Sequence, residues 1–200
     1  MDDTAAKHDS AKQQTDEQLM AAFARGSTDA FSALFHRYRQ PLYGFFCRRI
    51  ADRSNAEELA QDTFLALLRA QNRYEATALF RTWLYAIAFR ILQSYRRKAA
   101  FRGMFGASLP PANEPATHPA IHAEIALREA MSKLDRIDRE ILMLREFEQL
   151  TYAEIAALLG IPVNTVRSRL FRARGALREL LAAPAASPSA KALSKMEEHA

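Results

Sequence analysis

The 200-residue sequence has a single cysteine, Cys47, and only six glycines. One cysteine excludes a disulfide or a cysteine-rich zinc site within a single chain, and it fits a reducing compartment. We interpret Cys47 itself as a small buried hydrophobe. The five histidines are scattered, so none is predicted to bind a metal. Little glycine and the absence of β-rich runs predict an all-α chain.

Signals for membranes and for catalysis are also missing. No apolar run is long enough to cross a bilayer, and the N-terminus does not have the pattern of a signal peptide. The sequence contains no nucleotide-binding loop, no metal cluster and no nucleophile motif. These absences predict a cytoplasmic protein without membrane insertion, without catalytic residues and without a cofactor.

Charge is plentiful but unevenly distributed along the chain. The formal net charge is +5, from 28 Lys and Arg against 23 Asp and Glu. Residues 15–102 hold 14 basic and 8 acidic residues, whereas residues 123–150 hold 5 and 7. Local basicity of this kind favours a polyanion such as nucleic acid as a partner.

The most informative stretch, residues 151–178, predicts two helices joined by a tight turn. Thr151 and Glu154 have the spacing of a capping box at the start of the first helix. Gly160 stands where a helix needs a left-handed residue after its end, and Pro162 can only open the next helix. Because the second helix is basic, the pattern indicates a helix-turn-helix whose second helix enters the major groove of DNA.

The second of these helices has two different sides at about 100° per residue. Its apolar side carries Val166, Leu170, Ala173 and Leu177. Arginines on the outer side can bond phosphates or fork onto guanine. A solvated helical hairpin with a charged face is the alternative interpretation. The predicted DNA contacts are Asn164, Thr165, Arg167, Ser168, Arg169, Phe171 and Arg172.

The first half of the chain predicts a separate helical domain over residues 15–102. Helices are expected to open near Thr15, at Ser27 and at Ser54, and Pro41 is expected to interrupt the second of them. The third helix carries an apolar stripe that includes Leu67 and Leu68. Its opposite face is acidic, and it is either solvated or docks a basic partner. This acidic face consists of Glu57, Glu58, Gln61 and Asp62.

A loop over residues 72–79 and a helix over residues 80–98 follow. The helix combines aromatic residues with a basic end, a mixture that suits single-stranded or melted nucleic acid. Its arginines and lysine are Arg81, Arg90, Arg96, Arg97 and Lys98. Its predicted inward side chains are Trp83, Leu84, Ile87, Ile91 and Tyr95.

Residues 103–120 contain four prolines and little charge, so they are predicted to be a flexible linker. The linker separates residues 15–102 from a second helical domain, residues 121–181, and tails are expected at 1–14 and 182–200. We expect the domains to move independently in the free protein. A closed arrangement, held by an inhibitor or by the basic faces, is the alternative.

With both domains in view, the chain resembles the bacterial sigma-70 family, and most of all its extracytoplasmic-function (ECF) group. AEELAQDTFLALLRA, from residue 56, resembles the family's region 2.2, and WLYAIAFRILQSYRRK, from residue 83, resembles region 2.4. Residues 134–180 resemble region 4. The chain departs from the family pattern at Phe89, Arg90 and Ser94, beside the −10 contact.

The resemblance implies a dissociable specificity subunit of RNA polymerase that recognises −35 and −10 promoter elements and melts the start region. Regulation is implied to come from a separate protein, such as an anti-sigma factor. A stand-alone helix-turn-helix regulator is the alternative function, and it would need a dimer surface or an effector pocket.

The resemblance also implies roles for particular residues. The acidic face is implied to meet the β′ clamp helices of core polymerase, chiefly through Gln61 and Asp62. Arg167, Ser168 and Phe171, together with Arg172, match positions that read the −35 element. The residues implied in −10 binding and melting are Asn72, Arg73, Tyr74, Arg81, Trp83, Arg90, Arg96 and Arg97.

Overall fold

The computed structural model describes residues 14–74, 79–104 and 119–182, which form eight α-helices and one 3₁₀ turn. No strand occurs in those ranges, and the all-α prediction is confirmed. The N-terminal domain contains α1 (Asp16–Ala24), α2 (Thr28–Cys47), α3 (Arg53–Ala70), the 3₁₀ turn (Gln71–Arg73) and α4 (Phe80–Met104). The C-terminal domain contains α5 (Pro119–Lys133), α6 (Arg136–Glu146), α7 (Tyr152–Leu159) and α8 (Val163–Ala182).

Side-chain caps explain where the first helices begin. Thr15 caps α1 in a capping box with Gln18, and Ser27 caps α2. The prediction that Ser54 opens α3 is wrong, because Asp52 caps this helix and its Oδ1 accepts from the Ser54 N–H at 2.8 Å. A carboxylate is favoured there because its charge also complements the positive end of the helix dipole.

The predicted interruption at Pro41 is wrong, since α2 runs through this residue to Cys47. A proline inside a helix costs roughly 3 kcal/mol. The next two turns bury Leu42, Phe45 and Phe46 completely. Burying each of these side chains contributes about 1.5–3 kcal/mol, which outweighs the cost of the proline.

The predicted inner side of α4 is fully buried at Leu84, and the predicted Trp83, Ile91 and Tyr95 are partly buried against the core. The buried side chains on this helix also include Tyr85 and Phe89, whereas the predicted Ile87 and Ile91 are only half-buried. The prediction is incomplete because α4 is covered on two sides, by its own domain and by the C-terminal domain. The helix also continues beyond the predicted end, to Met104.

The two domains lie against each other, which is the closed arrangement given above as the alternative to independent motion. The contact joins α2 and α4 of the N-terminal domain to α6, α7 and the segment between them. Residues 105–118, most of the predicted linker, lie outside the described residues, as do residues 1–13 and 183–200 of the tails.

Candidate nucleic-acid and polymerase interfaces

The helix-turn-helix forms as its local sequence predicts. The Thr151 hydroxyl accepts from the Glu154 N–H at 3.3 Å, and the Glu154 carboxylate accepts from the Thr151 N–H at 2.6 Å. Gly160 has φ 67° and ψ 35°, the left-handed conformation expected after a helix end. The Thr165 N–H then bonds the Pro162 carbonyl at 2.9 Å in the first turn of α8.

Helix α8 presents one buried and one exposed side, as predicted. Val166, Leu170 and Ala173 are buried against the C-terminal domain. Phe171 points away from them, and 80% of it is exposed. The exposed side, here called the recognition face, consists of Asn164, Arg167, Ser168, Phe171 and Arg172, with the half-buried Thr165 at its edge.

Ion pairs divide the first four arginines of α8 into two groups. Arg169 bonds Asp138 of α6 at 2.8 Å, so it lies beside the recognition face rather than on it. Arg174 bonds Glu146 at 2.6 Å, and this carboxylate raises the pKa of the guanidinium. Within the described ranges Arg167 and Arg172 have no ion pair. These two cations are therefore available to a partner without breaking an internal bond.

The acidic face of α3 is exposed and is bordered by leucines. Leu65 and Leu68 follow the four acidic-face residues at helical spacing and are 47% and 37% exposed. The prediction that Leu68 faces inward is therefore wrong. Leu65 was not predicted as part of any site, although its place three residues after Asp62 puts it on this face. The surface is mixed, acidic at one end and apolar at the other.

Half of the eight candidate −10 residues are exposed, and the other half are half-buried. Tyr74 packs against Trp83 with ring centroids 5.2 Å apart, and both rings are half-buried. Residues 75–78 of the predicted loop lie outside the described residues. The exposed members are Asn72, Arg73, Arg90 and Arg97.

Two of the candidate −10 arginines bond the C-terminal domain instead. Nη2 of Arg81 donates to the Gln149 carbonyl at 3.2 Å. Nη1 of Arg96 lies 3.3 Å from Oε2 of Glu140. Burial lowers the pKa of Arg96, although Glu140 opposes that effect. In the closed arrangement these two cations are not free to contact DNA.

The described part of the chain also bears on the predictions about metal binding, membrane insertion and Cys47. No group of His, Cys, Asp and Glu there could hold a metal ion. No helix in the same ranges is long and apolar enough for a membrane span. Cys47 is half-buried rather than fully buried.

Comparison with known proteins identifies the family. The family models for sigma-70 region 2 and sigma-70 region 4 match residues 34–102 and 124–177. The RNA polymerase sigma-H factor of Pseudomonas aeruginosa is 30% identical over 190 residues, covering 84% of this chain and 95% of that protein. The sigma factor CarQ of Myxococcus xanthus is 33% identical over 167 residues, covering 81% and 95%. The chain belongs to the ECF group of the sigma-70 family.

As a sigma factor, the chain recognises promoters, and its partners are core RNA polymerase and promoter DNA. Sigma factors are transcription initiation factors rather than enzymes. A stand-alone regulator is not favoured, because the match to region 2 accounts for the N-terminal domain as well.

Solved structures of sigma factors share the fold. CnrH in complex with the cytosolic domain of CnrY has a TM-score of 0.64 and 27% identity, covering 84% of this chain and 97% of that one. RpoE in complex with the anti-sigma factor NepR, from Bartonella quintana, has a TM-score of 0.64 and 26% identity, covering 76% and 96%.

Proposed function

We propose that this sigma factor reads the −35 element with the recognition face of α8, and that it acts in the cytoplasm. The observation that carries the proposal is the 80% exposure of Phe171 between two arginines that lack an internal partner. Burying a phenylalanine side chain contributes about 1.5–3 kcal/mol, a gain that the free protein leaves unused. A bound duplex can supply that burial.

The chemistry of the recognition face suits the major groove. Arg167 and Arg172 can each fork onto guanine O6 and N7, or bond phosphates. Phe171 can contact the methyl group of thymine. Arg169, held by Asp138, fixes the orientation of α8 on α6 and contributes mainly positive potential.

We assign −10 binding and melting to the start of α4 and to the turn that precedes it. Tyr74 and Trp83 are rings on which an unstacked base can stack. Arg90 and Arg97 are exposed cations on the same long helix and suit the phosphates of a single strand. Arg81 and Arg96 join this set once they leave the C-terminal domain.

The mixed acidic and apolar surface of α3 is our candidate for the polymerase interface. Acidic side chains steer a basic partner toward the surface, and burial of the leucines on binding contributes to the affinity. Leu65 and Leu68 extend the interface beyond the four residues predicted from the sequence.

Regulation by a separate protein is the last part of the proposal. Two similar sigma factors were solved with bound partners, CnrH with the cytosolic domain of CnrY and RpoE with the anti-sigma factor NepR. We propose that this chain is likewise held inactive by an anti-sigma factor.

Run-off transcription with bacterial core polymerase tests the proposal. Templates come from promoters whose transcripts are enriched when the protein is overproduced. We expect a specific transcript with core and sigma together, and a gel shift of the same promoter that is weak without core. A strong shift by the protein alone, with no transcript from any enriched promoter, would contradict the proposed function.

A further inference from the structure

A cluster of five charged side chains joins the two domains. Arg49, at the end of α2, donates from Nε to Oε1 of Glu140 at 2.6 Å and from Nη1 to Oε1 of Glu148 at 3.1 Å. Arg48 bonds the same Glu148 oxygen at 2.8 Å, and Arg96 reaches Glu140 at 3.3 Å. We call these residues the charged cluster.

The charged cluster is divided by sign between the domains. Its three arginines belong to the N-terminal domain and its two glutamates to the C-terminal domain. The side chains of Arg49 and Glu148 are 0% exposed, and that of Glu140 is 6% exposed. Burial this deep requires the domains to be in contact, because each domain supplies the other's counter-charge.

Contacts at the end of α2 position Arg48 and Arg49, the two residues that follow this helix. Arg49 also donates from Nη1 to the Phe45 carbonyl at 2.9 Å, and its guanidinium lies 3.8 Å from the centroid of the Phe45 ring. Nη1 of Arg48 lies 2.9 Å from where a Cβ on Gly44 would be, so the guanidinium packs closely along the backbone of α2. The Arg48 guanidinium also lies over the Phe147 ring, 4.5 Å from its centroid.

A second set of contacts lies beside the charged cluster on α4. Arg81 donates to the carbonyl of Gln149, a residue with φ 55°. The Thr82 hydroxyl donates to Oε1 of Glu154, the carboxylate whose other oxygen caps α7. Burial raises the pKa of Glu154, but the bonds from Thr82 and Thr151 outweigh it, and the net pKa is lowered. The start of the helix-turn-helix is therefore bonded directly to the candidate −10 helix.

The physical chemistry of such a cluster favours a reversible contact. Desolvating the charges opposes much of their mutual attraction, so a complete buried cluster adds little net stability. Removing one member is different, because it leaves an uncompensated charge in a buried place. Closure therefore depends on every member of the charged cluster, yet it can be undone by a partner that separates the domains.

We propose that the free protein stays closed only while the charged cluster is complete, and that closure withholds Arg81 and Arg96 from DNA until the domains separate. The acidic face of α3 and the recognition face of α8 stay exposed in the closed form. Polymerase can therefore bind first, and separation of the domains then completes the −10 surface. The part of this inference that concerns DNA rests on the proposed −10 role of these two arginines.

Small-angle scattering of the full chain tests closure without any nucleic acid. We expect the wild type to be compact, and Arg49→Ala and Glu148→Gln each to increase the radius of gyration. Arg53→Ala and Glu179→Gln are the matched controls, since both residues are exposed and outside the charged cluster. Far-UV circular dichroism shows whether each variant is folded. If Arg49→Ala does not fold, Glu148→Gln provides the test instead. An extended wild type, or folded cluster variants as compact as their controls, would overturn the proposal.

Binding of a labelled single-stranded oligonucleotide of mixed sequence tests whether the two arginines are withheld. Arg49→Ala removes a positive charge, which alone weakens binding to a polyanion. If closure withholds the −10 surface, the same substitution strengthens binding. The gain is about tenfold if roughly one wild-type molecule in ten is open. Arg53→Ala, with the same change of charge, should bind no more tightly than the wild type.

The outcomes separate this inference from the proposed function. Open variants that bind the oligonucleotide no better than their controls would refute the withholding of Arg81 and Arg96. Adding Arg81→Ala to Arg49→Ala should remove part of the gain, which assigns it to the −10 helix. If the variants open as expected in scattering but the wild type supports no transcription with core, the proposed function is contradicted and the inference about closure still stands.

Discussion

Substituting Gly160 by alanine tests the turn on which the recognition helix depends. Gly160 has φ 67° and ψ 35°, and an added Cβ would meet no atom within 4 Å. The cost is therefore purely conformational, about 1–2 kcal/mol for an L-residue in the left-handed region. For a domain of this size, about 1 kcal/mol lowers the melting temperature by roughly 4–8 °C.

Gly175→Ala is the matched control because it makes the same chemical change inside α8. An added Cβ at Gly175 also meets nothing within 4 Å, and the residue is helical. Alanine there should stabilise the C-terminal domain by about 0.8–1 kcal/mol. The two substitutions are thus expected to shift the melting temperature in opposite directions and largely to cancel in the double variant.

Thermal unfolding of the full chain, followed by two signals, distinguishes these results. Trp83 is the only tryptophan, so its fluorescence reports on the N-terminal domain, whereas far-UV circular dichroism reports on both domains. Shifts in circular dichroism should exceed those in fluorescence. If both variants moved the melting temperature in the same direction, or Gly160→Ala had no effect, the left-handed turn would be refuted.

Three further predictions concern single charged residues. Arg172→Ala should cost about 1–3 kcal/mol of binding at one −35 position in a promoter library, whereas Arg174→Ala should weaken all promoters evenly and slightly. Asp62→Lys should weaken competition for core polymerase and change folding stability by no more than about 0.5 kcal/mol, and Glu129→Lys should leave competition unchanged. Because its folded pKa is lowered, the Glu154 carboxylate stabilises above its unfolded pKa and loses that effect as pH falls through the folded value. Below about pH 4.5 the unfolding free energy of Glu154→Gln should therefore fall less steeply with decreasing pH than that of the wild type. Equal slopes in this range would contradict the role assigned to Glu154.

Features set by neighbouring residues in the sequence could be predicted, and the helix-turn-helix shows why. The capping box of Thr151 and Glu154, the left-handed Gly160 and the buried stripe of α8 depend on positions within one or two helical turns. The exposure of Phe171 could be predicted from the same stripe, because a residue opposite the buried side of a helix faces solvent.

Features set by contacts between distant segments could not be predicted in the same way. Arg49 and Glu140 are 91 positions apart, and nothing local indicates that they meet. The incomplete prediction of the inner side of α4 has the same origin, because the C-terminal domain covers part of that helix. The uneven charge of the two halves was a signal of this contact. It favours a polyanion as a partner, but opposite charges also suit two domains that bind each other.

The way in which α2 holds Arg49 has a consequence for the open protein. Fixing a free arginine side chain costs about 1.5–2 kcal/mol of rotamer entropy. The Phe45 ring and carbonyl belong to the same domain as Arg49, so the contacts that orient the guanidinium do not depend on the C-terminal domain. In an open sigma factor, Arg49 would then be a preorganised cation without its partners Glu140 and Glu148. A phosphate of DNA or an acidic side chain of another protein that bound Arg49 in place of these glutamates would prevent the chain from closing again.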